Sequence, residues 1–260
     1  MQPDARQRLA DMLIAARREG RQIAALPPDL VPETPAEGYV VNALVATGLG
    51  WGPLGWKIAG TNPDMQRRLR LNEPIYGRSY KRFETRSPAR FSHAELLDPI
   101  IECEFFFRLG RDLPPRTAVY GRDEVTDAVM GVFAGVEVAE CRFPVDRLPA
   151  VPAILADGAA NGWYVIGDEI AGWRARDLAS MPVALSVNGA VRRTGSGREI
   201  MEDPINALIW LANTRSTWGD GLEAGALISS GTATGMLLAK RGDVMRATFG
   251  DHATVELAFV

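Results

Sequence analysis

Pro99-Ile100-Ile101-Glu102-Cys103-Glu104-Phe105-Phe106-Phe107 is the stretch on which the fold turns. It is rich in β-branched and aromatic residues, so it reads as part of a strand, over Ile100 to Leu109. Side chains alternate along a strand, so Glu102 and Glu104 share one face while Ile101, Cys103 and Phe105 take the other. Gly135 to Cys141 reads as a second β-rich run, with Glu137 between Val136 and Val138. Together the two runs place three carboxylates on apolar strands.

Removing one carboxylate from water costs several kcal/mol unless something compensates it, and two adjacent ones repel. A hard cation with a preference for oxygen, Mg²⁺ or Mn²⁺, removes both problems. The alternative for Glu102 and Glu104 is an exposed strand face with both side chains in water. Glu137 alone also fits a surface position or a buried ion pair with an arginine. Three oxygens with positions left for water and substrate would be a catalytic arrangement for Mg²⁺. Lys57, in Gly55-Trp56-Lys57-Ile58-Ala59-Gly60, either extends to solvent or presents an ammonium to a substrate oxygen.

Outward from these strands, helical signals concentrate at the N-terminus. Leu9, Met12, Leu13 and Ala16 have amphipathic spacing over Ala5 to Glu19. Thr34-Pro35-Ala36-Glu37 predicts an N-cap, a proline in the first turn and a capping box, with Gly48 and Gly50 ending that helix. Ser92-His93-Ala94-Glu95 is a weaker start, and Asp203-Pro204 opens a helix through Leu211. Arg67, Arg68 and Arg70 read as a solvated helix face, with an anion site as the alternative. Val183 to Val187, Asn188-Gly189 and Ala190 to Arg192 predict a hairpin with a type I′ turn. Gly195-Ser196-Gly197 reads as a turn after it. Short strands are expected at Ala226–Ser230, Val244–Phe249 and Thr254–Phe259. Strands and helices do not alternate regularly, which argues against a parallel βαβ fold. The expectation is α+β: a helical part over 1–50, then a β-rich, mostly antiparallel or mixed body over 51–260, in one continuous domain.

Composition sets limits on function. The 260 residues are 47% hydrophobic and 23% charged, enough for a large core, and the formal net charge of −3 offers no basic field for nucleic acid. No apolar run reaches the roughly 18 residues of a membrane helix. The N-terminus shows neither a signal core nor an acid-poor transit segment. Cys103 and Cys141 form no CxxC pair and read as core residues of a chain in a reducing compartment, the cytoplasm. His93 and His252 lack zinc-site spacing, and there is no GxSxG elbow, P-loop or strand-linked GxGxxG.

From about residue 35 onward, ordered segments resemble the fumarylacetoacetate hydrolase superfamily, in its branch of 2-keto-4-pentenoate hydratases and 4-oxalocrotonate decarboxylases. Gly55-Trp56-Lys57-Ile58 resembles the GxKx segment. Glu73-Pro74-Ile75-Tyr76-Gly77 resembles the substrate-loop ExPxxG, and Glu102-Cys103-Glu104 the metal-binding ExE. Glu137-Val138-Ala139-Glu140-Cys141-Arg142 resembles the segment of the third ligand, and Ala156-Asp157-Gly158 the ADN motif. Asp203-Pro204 through Trp210-Leu211-Ala212-Asn213 resembles the xPLxAxxWLAN helix. Leu222-Glu223-Ala224-Gly225 and Ser230-Gly231-Thr232 resemble the segments before the final strands.

The resemblance implies a β-roll or sandwich-like body, homo-oligomers, and Mg²⁺ or Mn²⁺ held by Glu102, Glu104 and Glu137. The substrate implied is a small 2-oxo or 2-hydroxy acid, chelated through its 1-carboxylate and 2-oxygen beside Lys57. Tyr76, Ser230 and Thr232 become candidate substrate contacts. Asp157 becomes a candidate water-activating base, with a buried structural aspartate as the alternative. The ADNxS pattern is replaced by Asp157-Gly158-Ala159-Ala160, and the final GxLG by Gly250-Asp251-His252-Ala253, which leaves the metal set intact and the reaction open. A hydratase of 2-hydroxy-2,4-dienoates leads, supported by Asn62-Pro63-Asp64-Met65-Gln66-Arg67. A 2-oxo-enedioate decarboxylase follows, then an acylpyruvate carbon–carbon hydrolase, which would need an added acid/base dyad, and an inactive metal-binding paralogue.

Overall fold

The computed structural model describes residues 1–260, with the side chains of Arg68 and Leu69 outside the described residues. Helix α1 (Pro3–Glu19) buries Leu9, Leu13 and Ala16 as its spacing predicts, and also Arg17. Helix α2 (Pro35–Leu49) is capped by Thr34, whose hydroxyl accepts from Glu37 N at 3.3 Å. The other half of the expected capping box is displaced: the Glu37 carboxylate accepts from Glu33 N at 2.9 Å and pairs with the N-terminal ammonium. Strand β1 (Pro53–Ala59), helix α3 (Pro63–Leu69) and strand β2 (Ile75–Tyr80) follow. Arg67 and Arg70 are exposed, in keeping with a solvated face, while Arg68 lies outside the described residues.

Next come β3 (Glu84–Arg86) and β4 (Ala89–Phe91). The weak helix start at Ser92 yields only a 3-10 turn, His93–Glu95; Ser92 makes no side-chain cap, and the chain must re-enter the sheet at Ile100. Then follow β5 (Ile100–Leu109), α4 (Arg122–Ala128), β6 (Val129–Ala139), α5 (Val151–Ala156) and β7 (Trp163–Glu169). The hairpin is β8 (Pro182–Val187) and β9 (Ala190–Ser196), turned by Asn188 and Gly189 at φ 52° and 82° as a type I′ turn requires. Strand β9 itself takes up Gly195 and Ser196, so the expected turn there starts only at Gly197. The chain ends with α6 (Pro204–Thr217), β10 (Leu227–Ser229), β11 (Leu237–Leu238), β12 (Val244–Phe249) and β13 (Ala253–Phe259).

These strands form two mixed sheets. One runs β2-β1-β10-β5-β6-β7-β3, with β11 also on β5; the other runs β4-β13-β12-β8-β9. Only β1 with β10, β3 with β7 and β4 with β13 are parallel; the other pairings are antiparallel. The chain is therefore α+β. One face of β5 carries Ile101, Cys103, Phe105 and Phe107 into the core shared with Leu185, Phe249 and Val255 of the second sheet. Phe105 meets Phe249 edge to face at 5.2 Å. The other face of β5 carries Glu102 and Glu104. Helices α1 and α2 pack with Ala153 and Ala156 of α5, Tyr80, Cys141 and Phe143 in a second cluster.

Candidate active site

Strand register brings the carboxylates together. Glu102 sits opposite Glu137, Glu104 opposite Gly135, and Ile100 opposite Ala139. A Cβ at position 135 would lie 2.5 Å from the Phe106 ring, so glycine is what lets the two strands close here. The glutamates do not face water: Glu102 is 8% exposed, and Glu104 and Glu137 are fully buried. One oxygen from each lies within 4.8 Å of the others. Lys57, on β1, is also buried, with Nζ 3.0 Å from Glu137 Oε1 and donating to Ala159 O at 3.0 Å. Glu104 Oε2 accepts from Gly231 N at 3.0 Å, and Glu137 Oε1 from the Tyr164 hydroxyl at 3.4 Å. Glu104 Oε1 and Glu137 Oε2 are buried and have no hydrogen-bond partner among the described residues.

The electrostatics are unbalanced. One ammonium faces three carboxylates in a buried site. Burial raises the pKa of all three; Glu102 and Lys57 partly offset one another's burial. Burial pushes Glu137 up to about 7 against the opposing pull of Lys57. Glu104 is driven well above the usual carboxylate range by burial and by the charges of Glu137 and Glu102. Burial acts to lower Lys57, but Glu137, Glu102 and Glu104 outweigh it and leave the ammonium raised. A hard divalent cation fits this donor set, because it supplies the missing positive charge and takes up the two unpartnered oxygens.

A cavity of about 170 Å³ opens beside this cluster, with Lys57, Glu102 and Thr232 among its lining. Of the candidate residues outside the carboxylate cluster, Tyr76, Ser230 and Asp157 do not line it. Tyr76 pairs with Ile58 on β1 and so faces the core, where its hydroxyl accepts from Arg215 at 2.9 Å and its ring stacks on Tyr39. Ile75, one residue earlier and opposite Ala59, lines the cavity instead. Ser230 is fully buried, its hydroxyl accepting from Phe105 N at 3.0 Å. Asp157 is an ion-pair hub: Oδ1 lies 2.9 Å from Arg17 Nη2, and Oδ2 accepts from Arg142 N at 2.9 Å. With its oxygens committed to two arginines, it takes the structural role rather than that of a base facing substrate.

That hub braces the turn that holds Lys57. Gly158, Ala159 and Ala160 all have left-handed backbones, at φ 76°, 57° and 59°. Two alanines in this region carry strain that surrounding contacts must offset. Arg17 bonds Asn161 Oδ1 at 3.1 Å and Arg142 bonds Asn161 O at 2.6 Å, fixing the far end of the turn. The turn aims the Ala159 carbonyl at Lys57. Sequence patterns missed this contact because a backbone oxygen leaves no residue signature. They also missed Tyr164, although its position opposite Glu137 follows once β6 and β7 are paired.

The fold and the cluster define a class of α+β proteins that bury a carboxylate triad and a lysine beside a small cavity. The fumarylacetoacetate (FAA) hydrolase C-terminal family matches residues 82–259, and the chain belongs to that family. A 2-keto-4-pentenoate hydratase of Paraburkholderia xenovorans (strain LB400) is 31% identical over 262 residues, covering 100% of this chain and 96% of the relative. A 2-hydroxyhexa-2,4-dienoate hydratase of Comamonas testosteroni is 28% identical, covering 95% and 94%. The structure of 4-oxalocrotonate decarboxylase from Pseudomonas putida G7, complexed with magnesium and adipate, has the same fold: TM-score 0.91 and 22% identity, covering 100% and 99%.

Proposed function

We propose that the protein is a divalent-metal-dependent hydro-lyase that adds water to a 2-hydroxy-2,4-dienoate of the 2-keto-4-pentenoate type, giving a 4-hydroxy-2-oxo acid. The observation that carries this reading is the buried triad with two unpartnered oxygens, set against Lys57 beside a cavity. The hydratase names of the relatives support the reaction. Glu102, Glu104 and Glu137 would hold Mg²⁺ or Mn²⁺, both hard ions suited to an all-carboxylate set. When bound, the ion would supply positive charge that attracts an acid substrate and stabilises negative charge growing on its 2-oxygen.

The chain's own residues do the rest. Lys57 Nζ has three donors, of which Glu137 and Ala159 take two. The third remains for a substrate oxygen. Its raised pKa keeps the ammonium charged, so it binds and orients rather than acting as a base. Gly231 N and Tyr164 hold the carboxylates in place from below. The family resemblance supports a homo-oligomer acting on a small diffusible acid in the cytoplasm; no described helix is long and apolar enough to cross a membrane.

Purified protein supplied with Mg²⁺ should consume a 2-hydroxy-2,4-dienoate, followed by ultraviolet absorbance. Heavy oxygen from labelled water should enter the product, with no CO₂ released. Release of CO₂ from a 2-oxo-enedioate without uptake of solvent oxygen would replace the hydratase reading with the decarboxylase one.

A further inference from the structure

The cavity changes character within a short distance. On the shared face of β5 and β6, the Glu102–Glu137 pair is followed by Ile100 and Ala139. Two residues of strand advance about 7 Å. An acid head held at the triad therefore places its fourth and later carbons against hydrocarbon. Ile75, Leu148, Val151, Ile154 and Met236 add further apolar lining. Leu148 is 43% exposed, so the apolar lining reaches solvent there.

Charge at the lining is equally one-sided. Among the described lining residues, the only cation is Lys57, which gives two donors to Glu137 and Ala159 and keeps its third for the acid head. The other charged residue besides Glu102 is Asp98, held with its Oδ2 accepting from Gln22 Nε2 at 2.9 Å and Val145 N at 3.3 Å. A second carboxylate at the far end of a substrate would lose water against hydrocarbon and meet Asp98 rather than a positive partner.

We infer that this cavity selects 2-oxo acids with an apolar, uncharged tail and rejects those that end in a second carboxylate, with Asp98 and the apolar wall as the specificity-determining groups. The inference rests on the proposed reading of the triad as the site of the 2-oxo acid head. Met65 and Met236, both in the lining, suit tails of differing length because thioether side chains adapt their shape.

The test is calorimetric binding to the Mg²⁺-loaded protein, with oxalate as a tailless head and unsaturation-free 2-oxo acids as tailed probes. Lengthening 2-oxobutanoate to 2-oxohexanoate should tighten binding about tenfold, since each buried methylene is worth about threefold to fourfold. 2-Oxoadipate, of the same chain length but with a terminal carboxylate, should bind at least tenfold more weakly than 2-oxohexanoate. Asp98→Asn should narrow that gap, and Leu148→Arg, at an exposed lining position, should narrow it further by adding a cation to the lining. Oxalate binding with equal or tighter binding of 2-oxoadipate in the wild type overturns the tail selectivity and leaves the head site standing. If neither oxalate nor any 2-oxo acid binds the metal-loaded protein, the head-group reading fails and the inference falls with it.

Discussion

Glu104 keeps one buried oxygen without a partner, while its neighbours Glu102 and Glu137 raise the cost of its charge. Such a group is tolerated only where something else completes it. Glu104→Gln and Glu102→Gln should each weaken Mg²⁺ binding by more than about tenfold, a loss already reached when only the supports of a ligand are removed. Both variants keep the side-chain volume, so the metal-free protein should melt at or above the wild-type temperature. Calorimetric titration and thermal melts read the two effects separately, and unchanged affinity in the variants of all three glutamates would remove the metal assignment. Lys57 has a different role. Lys57→Met should reduce turnover by about a hundredfold or more, the scale of a lost hydrogen-bond donor to developing negative charge, while metal affinity moves far less. Turnover at the wild-type level would return Lys57 to a structural ion-pair partner of Glu137.

At the scale of elements, the left-handed turn after α5 joins the helical layer to the sheet. A Cβ at Gly77, the register partner of Lys57, would lie 2.0 Å from Gly158 O. Gly77→Ala should therefore push the turn away, withdraw Ala159 O from Lys57, and destabilise the fold by about 1–3 kcal/mol through overpacking. Its turnover should fall while Mg²⁺ affinity, measured by titration, stays within a few-fold. A variant that matched the wild type in both would show that the turn does not position the lysine. The same elements explain what the sequence could reveal. Glu102, Glu104 and Glu137 were legible because strands alternate and their neighbours are unmistakably apolar. Whether their face was wet was not legible, since that depends on the distant segments that cover it. The face taken by Tyr76 was not legible for a related reason. A two-residue period defines two faces, but only the register of β2 on β1 assigns Ile75 and Gly77 to the face of Lys57. Asp157 and Arg17 lie 140 residues apart in sequence, so no local pattern joins them. The short strands β3 and β4 draw their order from parallel partners far along the chain, β7 and β13.

At the scale of the whole molecule, two sheets and a helical layer hold in place a cluster that works against folding when no cation is present. The consequence is a specific pH dependence. Burial lifts Glu137 from the ordinary 4.5 to about 7 and lifts Glu104 further above the usual range. A raised carboxylate means that the folded state binds more protons than the unfolded chain, so stability falls as pH rises. The contribution is fully present below the unfolded value of 4.5 and, for Glu137, is lost as pH passes about 7. The surface carboxylates Asp29, Glu37 and Glu124 are lowered by their hydrogen bonds to Arg8, the N-terminus and Arg116, so their transitions fall below this window. Lys57 is raised and loses its proton far above it. The metal-free protein should accordingly melt at a lower temperature near about pH 8 than near about pH 5.5. Mg²⁺ acts in the opposite sense. It binds the deprotonated triad, so protons compete with it, and its stabilisation grows with free ion over its dissociation constant. The rise in melting temperature on adding Mg²⁺ should be small at the acid end and larger at the alkaline end. Glu104→Gln removes one of the competing protonation sites and one ligand together, so it should flatten the metal-free slope and shrink the Mg²⁺ increment. If the metal-free melting temperature instead climbs between these two pH values, or Glu104→Gln retains the wild-type slope, the buried triad is not the source of the pH dependence.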